Sequence, residues 1–92
     1  MNRSRMEQIT QLLAPLEPLR CQVRDDSHLH AGHPGAASGG GHFHLTLVSA
    51  HFDGLRTVAR HRKVYALLQS LFPDAIHALS MTLLTPQEDA SH

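Results

Sequence analysis

The chain is poor in the residues that mark several common classes of protein. Cys21 is its only cysteine, so one chain can form neither an internal disulfide nor a metal site made of thiolates. Basic and acidic residues number eight each, and this balance gives no global charge that would favour nucleic acid or a membrane surface. No stretch approaches the roughly 20 apolar residues of a membrane span, and the N-terminus lacks the apolar run of a signal peptide. We therefore expect a soluble cytoplasmic protein with no membrane partner.

Histidine and glycine, in contrast, are concentrated in one segment. Five of the nine histidines and five of the six glycines lie in DDSHLHAGHPGAASGGGHFH, residues 25–44. So much glycine disfavours any regular element, and we predict a flexible loop over residues 26–41. Neutral imidazoles bind borderline metals and titrate near physiological pH. The loop is a candidate metal-binding segment, although such loops are often merely solvated.

The apolar pattern along the chain predicts six elements in the order α-β-β-α-β-α. Helical spacing and strand alternation place the first five at about 6–16, 19–24, 42–50, 57–72 and 76–84. Thr85-Pro86-Gln87-Glu88 is a T-x-x-E capping box with proline at the first helical position, which predicts a short C-terminal helix. A chain of this length forms a single domain over residues 1–92, with its core from about 6 to 90.

This element order predicts an α+β domain with helices packed on one face of a three-stranded mixed sheet. The first two strands should pair antiparallel, and the second and third, joined through the long helix, should pair parallel. The starts of those two strands, with His42 and His77, then share one edge with the loop. Two or three imidazoles at such an edge can hold a metal. The alternative is that His77, which has core-side parity, simply caps the sheet edge.

The spacing of apolar and basic residues along the long helix predicts one buried face and one solvated face. The buried face would carry Val58, His61, Val64, Tyr65, Leu68, Leu71 and Phe72. Arg56, Arg60 and Lys63 would lie on the solvated face, where with Arg62 they could contact DNA phosphates as in helix-turn-helix proteins. An ordinary solvated face is the alternative, because DNA binders usually show a wider basic footprint. We find no Walker loop, nucleophile elbow or carboxylate pair, and predict that the protein is not an enzyme.

Four segments, taken in order, resemble the BolA family: DDSHLHAGH, GGGHFHLTLVSAHFDGL, VARHRKVYALL and IHALSMTLLTPQE. The resemblance covers about residues 19–88. It implies a KH-like (type II) α+β domain without the G-x-x-G clamp of KH domains. It also implies a partnership with a monothiol glutaredoxin, with which family members share a bridging [2Fe-2S] cluster. The glutaredoxin and glutathione supply thiolates to one side of that cluster and histidines ligate the other, so the isolated chain would hold no cofactor.

The resemblance further implies which histidines are ligands. The metal-binding histidine of the family corresponds to His77, and its loop ligand corresponds best to His30, with His28, His33 and His42 as alternates. We therefore expect an adaptor in iron–sulfur cluster assembly, trafficking, or iron and stress sensing, monomeric or weakly dimeric when alone.

The family also implies an alternative function, because some members are described as DNA-binding transcriptional regulators of stress and morphology genes. In that case the candidate contacts are the basic residues of the long helix, Arg56, Arg60, Arg62 and Lys63.

Overall fold

The structure is a computed structural model that describes residues 5–26 and 41–91. In this part of the chain the elements are α1 (Arg5–Leu12), β1 (Arg20–Asp25), β2 (Gly41–Val48), α2 (Thr57–Leu68), β3 (Ile76–Leu84) and α3 (Pro86–Ala90). The predicted element order is confirmed, and β3 has the predicted bounds. Over the same ranges, no helix combines the length and the apolar character needed to cross a bilayer.

The two longer helices end earlier than predicted, in each case near a proline. Pro15 has no N–H to continue the hydrogen bonding of α1, and Ala14–Leu16 forms a separate 3-10 turn. After α2, Gln69–Leu71 forms another 3-10 turn, and Phe72 is extended, with φ −93° and ψ 146°. Phe72 precedes Pro73, and a residue in that position is disfavoured in the helical region.

The sheet has the predicted pairing. Its order is β1-β2-β3, with β1 antiparallel to β2 and β2 parallel to β3. At one end of the β1–β2 pair, Asp25 of β1 lies opposite Phe43 of β2. At the same end of the sheet, Gly41 of β2 lies opposite Ile76 of β3. The end of β1 and the starts of β2 and β3 therefore meet at one edge of the sheet, which we call the histidine edge because it carries His42 and His77.

One face of the sheet is apolar and is covered by α1 and α2. Phe43, Leu45 and Leu47 are buried on this face, as predicted. The residues that complete the buried cluster come from both helices, from β3 and from the connections, and they are Ile9, Leu13, Leu16, Phe52, Val64, Leu68, Ile76 and Leu83. The alternate side chains of β2 lie on the opposite face, where His42, His44 and Thr46 are half-buried and Val48 is buried.

The rotation of α2 differs from the prediction. Val64 and Leu68 are fully buried, whereas Val58 is 62% and Tyr65 41% exposed, so the last two do not belong to the core. Arg60 was expected on the solvated face, and this was wrong, because its side chain is only 13% exposed. Arg60 lies one turn before Val64, on the inward side of the helix.

Arg60 joins three parts of the fold through its guanidinium group. Its Nε donates to the carbonyl of Leu55 at 2.8 Å, and one terminal nitrogen donates to the carbonyl of Leu83 at 3.0 Å. Both terminal nitrogens donate to the Glu88 carboxylate, at 2.6 and 3.1 Å. Glu88 also completes the predicted capping box of α3, accepting from the Thr85 backbone N–H at 2.9 Å.

We predict that Glu88 makes the fold sensitive to acid. Hydrogen bonds from Arg60 and from the Thr85 backbone lower the pKa of Glu88 from 4.5 to about 2. Because the folded-state pKa is the lower one, the stabilisation is complete above about pH 4.5 and is lost as the pH falls towards 2. Urea unfolding at several pH values should show this loss, and Glu88→Gln should remove that part of the pH dependence. If the free energy of unfolding of Glu88→Gln still fell with decreasing pH as steeply as that of the wild type, the assignment of this effect to Glu88 would be contradicted.

Candidate metal centre at the histidine edge

His42 and His77 come together through an irregularity in the pairing of β2 with β3. Gly41 lies opposite Ile76, but His42 lies opposite Ala78, so the register shifts by one residue. His77 is the extra residue of this bulge. The two imidazole rings are 5.3 Å apart between centroids, with their planes inclined at 47°.

The bulge also turns His77 outward. Strict alternation along β3 predicts His77 on the core side, and this was wrong: Ile76 is fully buried and His77 is exposed. An inserted residue breaks the two-residue period of a strand and re-aims the side chain at that point. The imidazole of His77 is consequently accessible to a second molecule.

His42 lies beside it on the half-buried face, and its Nε2 is shielded from solvent. It lines a shallow pocket of about 320 Å³ together with Asp26, Phe43, Ala78, Leu79 and Ser80. The backbone N–H of Asp26 donates to the carbonyl of His42 at 2.7 Å. This bond places Asp26, the residue before segment 27–40, next to the imidazole pair.

Asp26 adds a carboxylate to this edge that sequence analysis did not single out. The guanidinium of Arg24 donates to both carboxylate oxygens of Asp26. Nε donates to Oδ1 at 2.7 Å, and one terminal nitrogen donates to Oδ2 at 3.0 Å. The Asp26 side chain is only 15% exposed, and its charge is balanced by Arg24. The signal available in the sequence was the acidic pair Asp25-Asp26 directly before the glycine-rich segment.

Gly41 is required at the start of β2 by the ring of Phe43. A Cβ at position 41 would lie 2.2 and 2.6 Å from two ring carbons of Phe43 and 3.3 Å from the carbonyl oxygen of Ala75. We predict that Gly41→Ala destabilises the protein by about 1–3 kcal/mol in urea unfolding, because the buried ring must move. Phe43→Leu shortens that side chain, so Gly41→Ala should cost less in the Phe43→Leu background. If the stability costs of Gly41→Ala and Phe43→Leu were additive in this double-mutant cycle, the clash with the Phe43 ring would not be the cause.

The other described histidines do not join the pair. Nδ1 of His44 is hydrogen-bonded to the Ser80 hydroxyl at 2.7 Å, and its Nε2 to the Thr82 hydroxyl at 3.2 Å. His51 is exposed and is hydrogen-bonded to Glu17 at 2.9 Å. His61 is half-buried on α2.

The predicted loop ligands lie outside the described residues. His30 and its alternates His28 and His33 belong to segment 27–40, so their assignment stays a prediction. Within residues 5–26 and 41–91, no three histidine, cysteine, aspartate or glutamate side chains form a group that could hold a metal ion. The described part of the edge therefore supplies two imidazoles, and further ligands would have to come from the loop or from a partner.

Cys21 does not supply a thiolate to the histidine edge. It pairs with Leu47 in the β1–β2 register, several residues away from Asp25 and Phe43 at that edge. It is half-buried and packs against the core. Burial raises the pKa of the Cys21 thiol, although a hydrogen bond with Thr10 partly opposes this, so the group stays protonated at neutral pH.

The basic residues of α2 are divided by the structure. Arg56, Arg62 and Lys63 are exposed, and none of them forms an ion pair with another described residue. Arg60 is bound to Glu88 and to two backbone carbonyls. The exposed cationic group of α2 is therefore smaller than predicted.

Comparison with known proteins identifies relatives along almost the whole chain. The model of the family described as BolA-like protein matches residues 12–88. "Protein BOLA1, chloroplastic" of Arabidopsis thaliana is 40% identical over 91 residues, which are 96% of this chain and 56% of that relative. "DNA-binding transcriptional regulator BolA" of Haemophilus influenzae is 39% identical over 72 residues, 78% of this chain and 67% of the relative.

The fold is likewise found among solved structures. The BolA domain of SufE1 from Arabidopsis thaliana superimposes with a TM-score of 0.80 at 40% identity, covering 96% of this chain and 99% of that one. Such a domain also occurs within a longer protein, since this chain spans only 21% of the SufE-like protein 1 that it matches.

Proposed function

This chain belongs to the BolA-like protein family, and from that premise we propose that it is a non-catalytic adaptor sharing a [2Fe-2S] cluster with a monothiol glutaredoxin and glutathione. Its role would be iron–sulfur cluster assembly or trafficking, or iron and stress sensing, in the cytoplasm. The observation that carries the proposal is the juxtaposition of His77 and His42, with ring centroids 5.3 Å apart, at the edge where segment 27–40 begins and ends.

The residues of the edge fit such a cluster as half of its ligand set. His77 is exposed and can reach iron held by another molecule. The second ligand is proposed to be His30, with His28, His33 and His42 as alternates. Nε2 of His42 is shielded from solvent. Besides being an alternate ligand, His42 would lie against the ring of His77 and limit the movement of that ring.

Sulfur ligands would have to come from the partner. Cys21, the only cysteine, is half-buried away from the histidine edge, and burial raises its pKa. With imidazoles on one iron, a [2Fe-2S] centre has a higher reduction potential than an all-thiolate one. Its imidazole ligands are also open to protonation, which couples retention of the cluster to pH.

Reconstitution tests this proposal. The full chain, a monothiol glutaredoxin, glutathione, iron and sulfide are combined without oxygen, and visible circular dichroism is recorded while the ratio of the two proteins is varied. We expect a spectrum distinct from that of the glutaredoxin alone, saturating at one chain per glutaredoxin. A spectrum that stays that of the glutaredoxin at every ratio would refute the proposal.

A second candidate function is DNA binding. It is favoured by Arg56, Arg62 and Lys63, which are exposed and form no ion pair within residues 5–26 and 41–91, and by a relative named as a DNA-binding transcriptional regulator. Three phosphate contacts should give a slope of about −3 for the logarithm of affinity against the logarithm of salt concentration, at roughly −0.9 per phosphate. Arg62→Ala should reduce that slope by about one. Negligible affinity for duplex DNA at low salt would exclude this function.

A further inference from the structure

α2 presents an exposed row of side chains that the core does not use. Val58, Arg62, Tyr65 and Gln69 are spaced at i, i+4, i+7 and i+11, which places them along one side of the helix. Two of them are large apolar residues with exposed fractions of 62% for Val58 and 41% for Tyr65. Val58 and Tyr65 were expected to face the core, and the observed rotation of α2 leaves them exposed.

The C-terminal half of this row forms a groove. Arg62, Tyr65, Ala66, Gln69 and Phe72 line an open depression of about 330 Å³, which we call the α2 groove. The rings of Tyr65 and Phe72 lie 5.3 Å apart between centroids, so an aromatic pair forms part of its lining. Exposed aromatic and arginine side chains in one place are the residues that most often dominate the binding energy of a protein interface.

Backbone hydrogen bonds connect the α2 groove to the histidine edge. Beyond Phe72 at the end of the groove, the N–H of Ala75 donates to the carbonyl of Leu71 at 2.9 Å. The carbonyl of Ala75 in turn accepts from the N–H of Gly41 at 3.2 Å. Phe72 at the end of the groove and His77 at the histidine edge are five residues apart along the chain, and these bonds tie the connection between them to the start of β2.

We infer that the α2 groove is a docking surface for the protein that brings the thiolates to the histidine edge, an inference that rests on the proposed function. The partner's side would be an apolar side chain packed against the Tyr65–Phe72 ring pair, with a carboxylate beside it facing Arg62. Arg62 and the adjacent Lys63 are exposed and have no ion pair with any residue in the described ranges, so their charge is open to an acidic partner. The aromatic pair favours a protein over DNA as the occupant of the groove, because the DNA backbone offers no apolar group to pack against the two rings.

The test measures docking separately from ligation. Wild type, Arg62→Glu, Tyr65→Ala and Arg56→Glu are titrated with a monothiol glutaredoxin that carries glutathione and the cluster, with visible circular dichroism as the readout. Arg56→Glu is the control, because it makes the same charge change at the N-cap of the same helix and lies outside the groove. We expect Arg62→Glu and Tyr65→Ala to weaken binding at least tenfold relative to Arg56→Glu, with an unchanged spectrum at saturation.

Each other outcome has a defined meaning. Binding by Arg62→Glu and Tyr65→Ala within twofold of the control would overturn the docking surface while the proposed function stands. The absence of any mixed spectrum with wild type would overturn the proposed function and this inference with it. If the two variants instead lose only duplex DNA binding, the groove is a nucleic-acid contact and the inference is wrong. Arg62→Glu changes an exposed side chain, so it keeps the test valid if Tyr65→Ala unfolds.

Discussion

Replacing His77 by alanine is expected to reduce the visible dichroism of the mixed cluster below about a tenth of the wild-type signal. Changes in groups that only support a metal ligand already cost roughly 10–100-fold in metal affinity, and removal of a ligand should cost more. The fold should be unaffected, because the side chain of His77 is exposed and lies outside the core cluster. Reconstitution with glutaredoxin and glutathione, with thermal unfolding in parallel, measures both effects.

Two further variants make this experiment specific. His51→Ala removes another exposed histidine, one whose ring is hydrogen-bonded to Glu17, and should leave the spectrum unchanged. His77→Cys restores a ligand of a different type and should restore a cluster with a shifted spectrum and a lower reduction potential, since a thiolate replaces an imidazole. A wild-type spectrum from His77→Ala would show that His77 is not a ligand.

The second large effect is expected at Arg60. Arg60→Ala should lower the free energy of unfolding by about 2–3 kcal/mol, because the carbonyls of Leu55 and Leu83 lose a charged donor at a partly buried site. Loss of the Glu88 contact should also loosen α3 from the rest of the fold. Urea unfolding gives the free energy, and hydrogen exchange at the N–H of Asp89, which is bonded to the carbonyl of Thr85, reports on α3.

Arg62→Ala is the matched control for Arg60. It removes the same side chain from the same helix at an exposed position, and its effect on stability should stay within about 0.5 kcal/mol. Arg60→Lys keeps the charge but cannot reproduce the planar set of donors, and should retain only part of the stability. Equal stability of Arg60→Ala and Arg62→Ala would mean that the Arg60 contacts contribute nothing measurable.

Local patterns in the sequence predicted most of the secondary structure. Alternation placed β3 at its observed bounds, and the T-x-x-E box placed the start of α3 at Pro86. These predictions succeed because strand alternation and helix capping depend on residues within three or four positions of one another. The parallel pairing of β2 with β3 followed from the helix between them, since parallel strands need a crossover connection.

The candidate site could be predicted only in part. The approach of His77 to His42 followed from topology, but the outward orientation of His77 did not, because it depends on a one-residue shift in the pairing with β2. No pattern in the sequence of β3 predicts this shift in the pairing. It arises where Gly41 meets Ile76 and the ring of Phe43 fills the space that a side chain at position 41 would need.

The sequence alone determined the order of the elements, the inward face of β2 and the placement of His42 and His77 near one edge of a mixed sheet. These features follow from short-range periodicity and from the few connections that two-layer folds allow. Only the tertiary structure decided the rotation of α2 and the bulge at His77. Arg60 finds its partners Leu83 and Glu88 at separations of 23 and 28 residues, and such contacts outweigh the hydrophobic pattern of a single helix. Rotation and register are settled by packing between distant segments, whose relative positions no local pattern contains.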